Sequence, residues 1–408
     1  MIHQHIWLTI FATGLQLICN NLHEATSAGP SKNVPHTPPT DDELLKTEDA
    51  DELVAELENK LKYELNQLKE EWEPRNELLE KSWDDFNMVS DIIGNGSGGL
   101  TEVRVCQLKE NAGVGKWLFN MVVPPLKEDF AMKRTDFSQL KRKLHTSIYV
   151  NNNPKAAINK INLLIDEIRV LKKLGRTNFA IEIKTFFWHY VHGQEWLCMV
   201  TSYIGGGTLY TYFTHLKTHK KWELGESFMH EGDVAEVAAE ILIILEKLHD
   251  DNLAYRDLKP DNILLDGEGH LWLTDFGYTR HITTTSNDFC GTLSYMAQEI
   301  VLKKGHNKAV DIWSLGALIF EMIESLIPKN LPISDDAWSL IEGLMDSVVE
   351  SRLTAKTARN AKLFEKYSIE WKAYENRTNP PPFHPVIENR VVKRYVYRDR
   401  GRSEVPGQ

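Results

Sequence analysis

The sequence predicts an α+β chain in which a small strand-rich part precedes a larger helical part. Three observations predict this. Alternating and apolar strand-like segments are concentrated between about Phe86 and Ile204. Downstream, "DVAEVAAEILIILEKLH" (Asp233 to His249) and "AVDIWSLGALIFEMIESL" (Ala309 to Leu326) carry helical periods, the second apolar nearly all round and therefore buried. Polar residues cluster where the two parts meet, in "YRDLKPDNILLDGEGHLWLTDFG" (Tyr255 to Gly277).

With 408 residues, 42% of them hydrophobic, the chain can bury one large two-part core or two ordinary domains. The formal net charge of −11 argues against general nucleic-acid binding. Cys19, Cys106, Cys198 and Cys290 lie far apart without metal-ligand spacing, so they read as unpaired thiols of a reducing compartment.

Taken in order, residues 1–28 form an apolar N-terminal segment. Its run "IWLTIFATGLQLIC" and the small residues "ATSA" resemble a secretory signal, but no Lys or Arg precedes Lys32. The run is too short to span a bilayer. An intracellular site, cytoplasm or nucleus, is the expectation, and the secretory pathway is the alternative if 1–28 is a signal peptide. Residues 29–42 read as a polar linker, and 43–82 as an acidic amphipathic helix. Val54, Leu57, Leu61, Leu65, Leu68 and Trp72 draw one stripe on it, and Pro74 stops it. The stripe fits a helix packed on its own domain, or one that docks a regulatory partner through residues 43–72. A main domain over 86–368 divides near 204, and 369–408 is a tail. Within the domain, "AAINKINLLIDEIRVLKKL" (Ala156 to Leu174) is a helix and "WLCMVTSYI" (Trp196 to Ile204) a strand. "NILLD-GEG-HLWLT" is strand, glycine turn, strand.

The chemistry lies in a few spacings. "GNGSGG" places Gly94, Gly96 and Gly99 so that backbone N–H groups can approach phosphates without side-chain clash. A strand-like "TEVRVCQL" follows, where a dinucleotide fold would need a helix, so the glycines read as a hairpin lid. Lys133 sits on an apolar strand, where it needs a partner, and Glu167 of the next helix is available. Asp257 can accept a hydroxyl proton, and Lys259 can neutralise a transferring phosphoryl group. Asn262 and Asp275 offer hard oxygen ligands suited to magnesium. Phosphoryl transfer requires positioning and electrostatics, and these groups supply both.

Several of these motifs in this order resemble the protein kinases, from about Phe86 to Ile387. "YRDLKPDNILLD", "FCGT", "GHNKAVDIWSLGAL" and "NPPPFHPVI" are similar to the AGC group, in particular the mitogen- and stress-activated and ribosomal-protein kinase branch. The resemblance implies a bilobal protein-kinase-like fold, with a β-rich N-lobe over 86–204, a helical C-lobe over 205–368 and an AGC-type tail over 369–408. It implies an ATP-dependent serine/threonine kinase acting on protein substrates, with ATP and Mg2+. Ile93 would bind ATP, Gly94, Gly96 and Gly99 would cover its phosphates, and Lys133, paired with Glu167, would hold two of them. Asp257 would be the catalytic base and Lys259 its partner at the γ-phosphate. Asn262 and Asp275 would bind magnesium. Ser202 to Ile204 would hydrogen-bond adenine beside Thr201, Asp311 would anchor the catalytic loop, and Arg352 would pair with Glu299. Lys259 and Thr292 point to Ser/Thr substrates.

The departures are specific. Asp288 stands where AGC relatives carry an activating phospho-Thr, beside Arg256, which such a phosphate would engage. A carboxylate brings one charge where a phosphate brings nearly two. Thr101 replaces the Val that packs on adenine, Gly98 the aromatic loop tip, and Gln298 the Pro of A-P-E. Thr208 stands where a Glu reads substrate arginines in basophilic relatives. Leu326 to Asp335 is short, which implies a reduced substrate-side region, and no aromatic F-x-x-F motif is present. These departures keep a second reading open, a weak or inactive kinase-like scaffold.

Overall fold

Two capping side chains begin the first helices. Thr40 accepts from the Glu43 N–H while Glu43 accepts from the Thr40 N–H, starting α1 (Asp41–Leu44). The Asp49 carboxylate takes the Asp51 and Glu52 N–H groups and starts α2 (Ala50–Glu70). The single helix expected over 43–82 is therefore corrected to two, because a capping carboxylate at 49 draws the chain out of helical geometry. The computed structural model describes residues 38–47, 49–71, 78, 81–95, 99–109, 128–175, 177–218, 229–327 and 332–397. Trp72, Pro74, Gly96, Gly98, Cys19 and the apolar run near the N-terminus lie outside them. Leu53, Val54, Leu57, Leu61, Leu65 and Leu68 are each buried, so the stripe read from the sequence is covered.

The described chain divides into two compact units, one ending at Arg169 but including Ile183–Tyr203, the other comprising Val170–Glu182 and Ile204 onward. In the first unit, β1 (Phe86–Asn95), β2 (Thr101–Leu108) and β3 (Asp129–Asp136) lead to α3 (Phe137–Tyr149) and α4 (Pro154–Leu174), whose end from Val170 belongs to the second unit, then β4 (Ile183–Val191) and β5 (Gln194–Ser202). The strands form one antiparallel sheet in the order β1-β2-β3-β5-β4. Alternation puts Phe86, Cys106, Phe130, Met132, Phe187, Cys198 and Val200 on one buried face. On the central strand β3 the Arg134 guanidinium lies over the Trp83 and Trp196 rings, 4.8 and 4.7 Å from their centroids, and bonds Glu102.

The second unit is mainly helical. It holds α5 (Leu209–Thr218), α6 (Glu231–Asp250), the short pairs β6 (Leu253–Ala254) with β9 (Arg280–His281) and β7 (Ile263–Leu265) with β8 (Leu271–Leu273), then α7 (Gln298–Val301) and α8 (Ala309–Leu326). After these come α9 (Asp335–Leu344), α10 (Ala355–Ala358), α11 (Lys362–Lys366) and α12 (Trp371–Glu375). Helices α6 and α8 are buried over most of their circumference, as their apolar sequences require. The Ser334 backbone N–H and hydroxyl both donate to the buried Glu231, which also receives Lys366 and Tyr367.

The tail contains an unforeseen hairpin, β10 (Phe383–Glu388) with β11 (Val391–Tyr397). Its two turn residues, Asn389 and Arg390, have φ of 49° and 64°, which a tight two-residue hairpin turn requires. Phe383 stacks on Tyr212 at 3.7 Å, and Tyr395 meets the same ring edge-on at 5.0 Å. Gly269 permits this close approach: a Cβ there would fall 2.0 Å from the Phe383 carbonyl oxygen.

Candidate active site

In the first unit, β3 lies between β2 and β5, so Lys133 is flanked by Val103 and Met199. Its ammonium donates to Glu167 Oε1 of α4 at 2.5 Å, and Glu167 is only 3% exposed. A buried carboxylate without a cation would be costly, so the pair ties strand to helix. Gly94 pairs with Val103 near the end of β1, Gly99 adopts φ +67°, and Ile93 is half exposed. Thr201, 4% exposed, directs its hydroxyl to the Ala131 carbonyl, and Ser202 ends β5 opposite Phe130. Ile204 belongs to the second unit, in the loop before α5.

The remaining candidates gather in the second unit. The Asp311 carboxylate, fully buried at the start of α8, accepts the Tyr255 N–H at 2.9 Å and the Arg256 N–H at 2.7 Å. His249 approaches the same carboxylate at 2.9 Å. These bonds hold Arg256 at φ 70°, a left-handed conformation that a large side chain adopts only when its surroundings enforce it. The next residue, Asp257, is thereby aimed. Its Oδ2 accepts from Lys259 at 2.7 Å and from Asn262 at 2.9 Å, and its Oδ1 accepts from the Thr292 hydroxyl at 2.8 Å. Lys259 donates to that same hydroxyl at 2.8 Å, which closes a ring of carboxylate, ammonium and alcohol.

Asn262 spends its amide N–H groups on Asp257, so its carbonyl oxygen is the atom left for a ligand. The Thr274 N–H donates to the Asn262 backbone carbonyl at 3.0 Å, which couples Asn262 to the residue before Asp275. Asp275 itself has φ 53°. The Tyr255 hydroxyl bonds the Thr274 carbonyl, and burial, reinforced by the charges of Asp275 and Asp257, pushes its ionisation well above the usual tyrosine range. Among the described residues no group of three or more His, Cys, Asp or Glu could cage a metal. Two oxygen donors from Asn262 and Asp275 fit magnesium, which takes few protein ligands and completes its shell with water and substrate phosphate.

The Arg256 side chain is fully buried and donates to the Tyr278 carbonyl, the Ser286 hydroxyl and, at 3.0 Å, Asp288. Burial alone would raise the Asp288 carboxyl, but the hydrogen bond and charge of Arg256 override it and hold it below the usual range. Arg280 stands 3.9 Å from the same carboxylate. Sequence reasoning missed Arg280 and Ser286; a basic residue on the strand after Asp275 was the available signal. Gly291 could not be replaced there, since a Cβ would sit 2.5 Å from the Arg256 carbonyl oxygen at a backbone φ of +101°. Arg352 and Glu299 form a buried two-pronged pair at 2.7 and 3.1 Å, undisturbed by Gln298, which donates to the Ser347 carbonyl.

A strand-bound Lys–Glu pair in the first unit and, in the second, an Asp–Lys–Asn loop anchored on a helical carboxylate are groups of the kind that phosphoryl transfer to a hydroxyl requires. Comparison with known proteins agrees. The protein kinase domain family model matches residues 138–332, which leaves β1, β2 and β3 outside the matched stretch. The serine/threonine-protein kinase AtPK1/AtPK6 of Arabidopsis thaliana is 30% identical over 373 residues, covering 85% of this chain and 71% of that relative. The RAC family serine/threonine-protein kinase homolog of Dictyostelium discoideum is 33% identical, over 56% of this chain and 53% of its own length. Protein kinase 2 of the same organism is 36% identical, over 48% and 43%. The chain belongs to the serine/threonine protein kinase family, on its AGC side. It spans about half the length of several of the curated relatives that it matches.

Proposed function

We propose that the chain transfers the γ-phosphate of ATP to Ser or Thr hydroxyls of protein substrates. The observation that carries this reading is the Asp257 carboxylate, held in one ring with Lys259 and the Thr292 hydroxyl at 2.7 to 2.8 Å. The Thr292 hydroxyl shows how an alcohol sits against this carboxylate. As a substrate alcohol forms its new P–O bond, its proton passes to Asp257, and the bond to the β,γ-bridging oxygen breaks to leave ADP. Lys259 offsets the charge on the transferring group, and Lys133, oriented by Glu167, holds the α- and β-phosphates. Gly94, Gly96 and Gly99 are assigned to the phosphate lid, Ile93 to ATP binding beside it, and Ser202 and Ile204 to adenine. Bound through Asn262 and Asp275, magnesium would neutralise phosphate charge.

Asp288 is assigned to holding the segment 286–292 against Arg256 without an upstream phosphorylation. The support is the 3.0 Å pair and the depressed carboxyl described above. The stripe of α2 is covered by its own unit, so a regulatory partner of this helix would use its charged outer face. An intracellular site is favoured by Cys106, Cys198 and Cys290, all free thiols whose burial raises them to about 12, 12 and 11. Among the described residues no helix is long and apolar enough to cross a membrane.

The test is transfer of labelled γ-phosphate to a protein substrate. Incorporation by the full chain that Asp257→Asn abolishes supports the enzyme. Magnesium-dependent ATP binding with no transfer would support the scaffold reading, which Thr101 and the short Leu326–Asp335 connection favour.

A further inference from the structure

The stripe of α2 buries more apolar surface than a linker helix has reason to bury. Leu53, Leu57 and Leu61 are wholly inaccessible, and Leu65 is 1% exposed. The helix is about 30 Å long at 1.5 Å per residue, and it runs alongside α3. Its polar residues are spent on the sheet unit as well. Glu58 takes the Lys141 ammonium of α3 at 3.0 Å, and Lys62 reaches Glu195 of β5 at 3.1 Å. Lys141 bonds Glu195 at 2.8 Å, which closes a four-charge circuit, and Asp51 meets His145 at 3.0 Å. Lys62 and Lys69 lie over the β4 rings of Trp188 and Phe186.

Two further contacts fall on α4, the helix that carries Glu167. Asp41 of α1, itself held by Lys60, accepts from the Asn162 amide at 2.9 Å. Glu64 of α2 accepts from Arg169 at 3.0 Å. Asn162 and Arg169 are seven residues apart and so share one side of α4. Glu167, five residues from Asn162, projects about 140° around the axis at ~100° per residue. The N-terminal helices thus grip one side of α4 while a different side presents Glu167 to Lys133.

We infer that α2 is a positioning splint for the Lys133–Glu167 pair, gripping α4 at both ends of the stretch that bears Glu167. Asp41 and Glu64 act as positioning residues through Asn162 and Arg169. The inference deepens the phosphoryl-transfer reading and rests on it. A splint encoded in the same chain keeps the pair assembled without a separate subunit.

The test uses the full chain with Leu57→Ala and Leu61→Ala together. Amide exchange is read over 154–169, with residues 309–326 of α8 as the control for intact folding. The expected result is exchange over 154–169 at least about tenfold faster, exchange over 309–326 unchanged within twofold, and kcat lowered about tenfold or more. Unchanged exchange over 154–169, or loosened exchange with kcat within twofold of wild type, overturns the splint.

If the control residues also exchange freely, the variant has unfolded, and the charge swap decides instead. Glu64→Lys alone should lower kcat about threefold, as befits one exposed pair, and Glu64→Lys with Arg169→Glu should restore it. A double variant no better than the single one overturns the inference. Should the wild-type chain transfer no phosphate, the functional reading fails, while the exchange measurement still decides whether α2 holds α4.

Discussion

The two parts of the candidate site are held in place by different means. In the second unit, Asp257 is fixed by several buried hydrogen bonds that converge on its loop. Asp311 grips the backbone of the two preceding residues, and Lys259, Asn262 and Thr292 share the Asp257 carboxylate. In the first unit, Lys133 depends on its pair with Glu167 of α4, and that helix is gripped in turn by α1 and α2. Several buried hydrogen bonds that converge on one loop restrain it from many directions, whereas a pair between two elements is only as firm as the packing behind each of them. The Asp257 loop should therefore keep its place when one partner is lost, and the Lys133–Glu167 pair should loosen when the packing of α4 does.

The comparison can be broken most decisively at Asp257. Asp257→Asn keeps the size of the side chain but removes the proton acceptor, so transfer should fall about 10⁴-fold with the melting temperature little changed, read by labelled phosphate and calorimetry. A second break lies deep in the second unit. Arg352→Ala strands the Glu299 carboxylate in a site 6% exposed, and denaturant unfolding should show a loss of about 3 kcal/mol. In the first unit, Lys133→Met should lower kcat about 100-fold while the exchange protection of the catalytic loop stays as in wild type. Loss of that protection would contradict the independence of the two anchoring schemes.

The smallest effect belongs to Asp288, which is a quarter exposed. Asp288→Ala should reduce transfer about threefold, as expected for one partly solvated ion pair. Its pH dependence follows from the sign of its shift. The folded carboxyl is held below its ordinary 3.8, so the stability it contributes is complete above pH 3.8. That contribution is lost as pH falls through the lowered value. The unfolding difference between wild type and Asp288→Asn should thus be flat from pH 8 to about 5 and shrink only in stronger acid, which titration of stability would show.

The catalytic loop was legible in the sequence because its parts lie within one short span, from Tyr255 to Gly277, where residue type and spacing report directly on contact. Helices α6 and α8 were legible for the same reason, as a continuous period states burial without reference to distant partners. The break between Leu44 and Ala50 was not, since one capping Asp outweighs an apolar stripe that runs on beyond it. The surface that α2 covers was equally hidden: a leucine stripe states that a helix is buried and says nothing of what lies against it. Asp288 could be suspected beside Arg256, but the contribution of Arg280 required the pairing of β9 with β6. The hairpin β10–β11 went unread because its anchor is a stacking contact between Phe383 and Tyr212, 171 positions apart.

That hairpin also bears on where a self-standing fragment of this protein can stop. A polypeptide ended at residue 368, the boundary read from the sequence, would leave the Tyr212 ring bare. It would also remove the Arg377 guanidinium from between Phe179 and Trp272. Recombinant pieces shortened in this way should be sticky and prone to precipitation, whereas pieces carried through Tyr397 should stay dispersed.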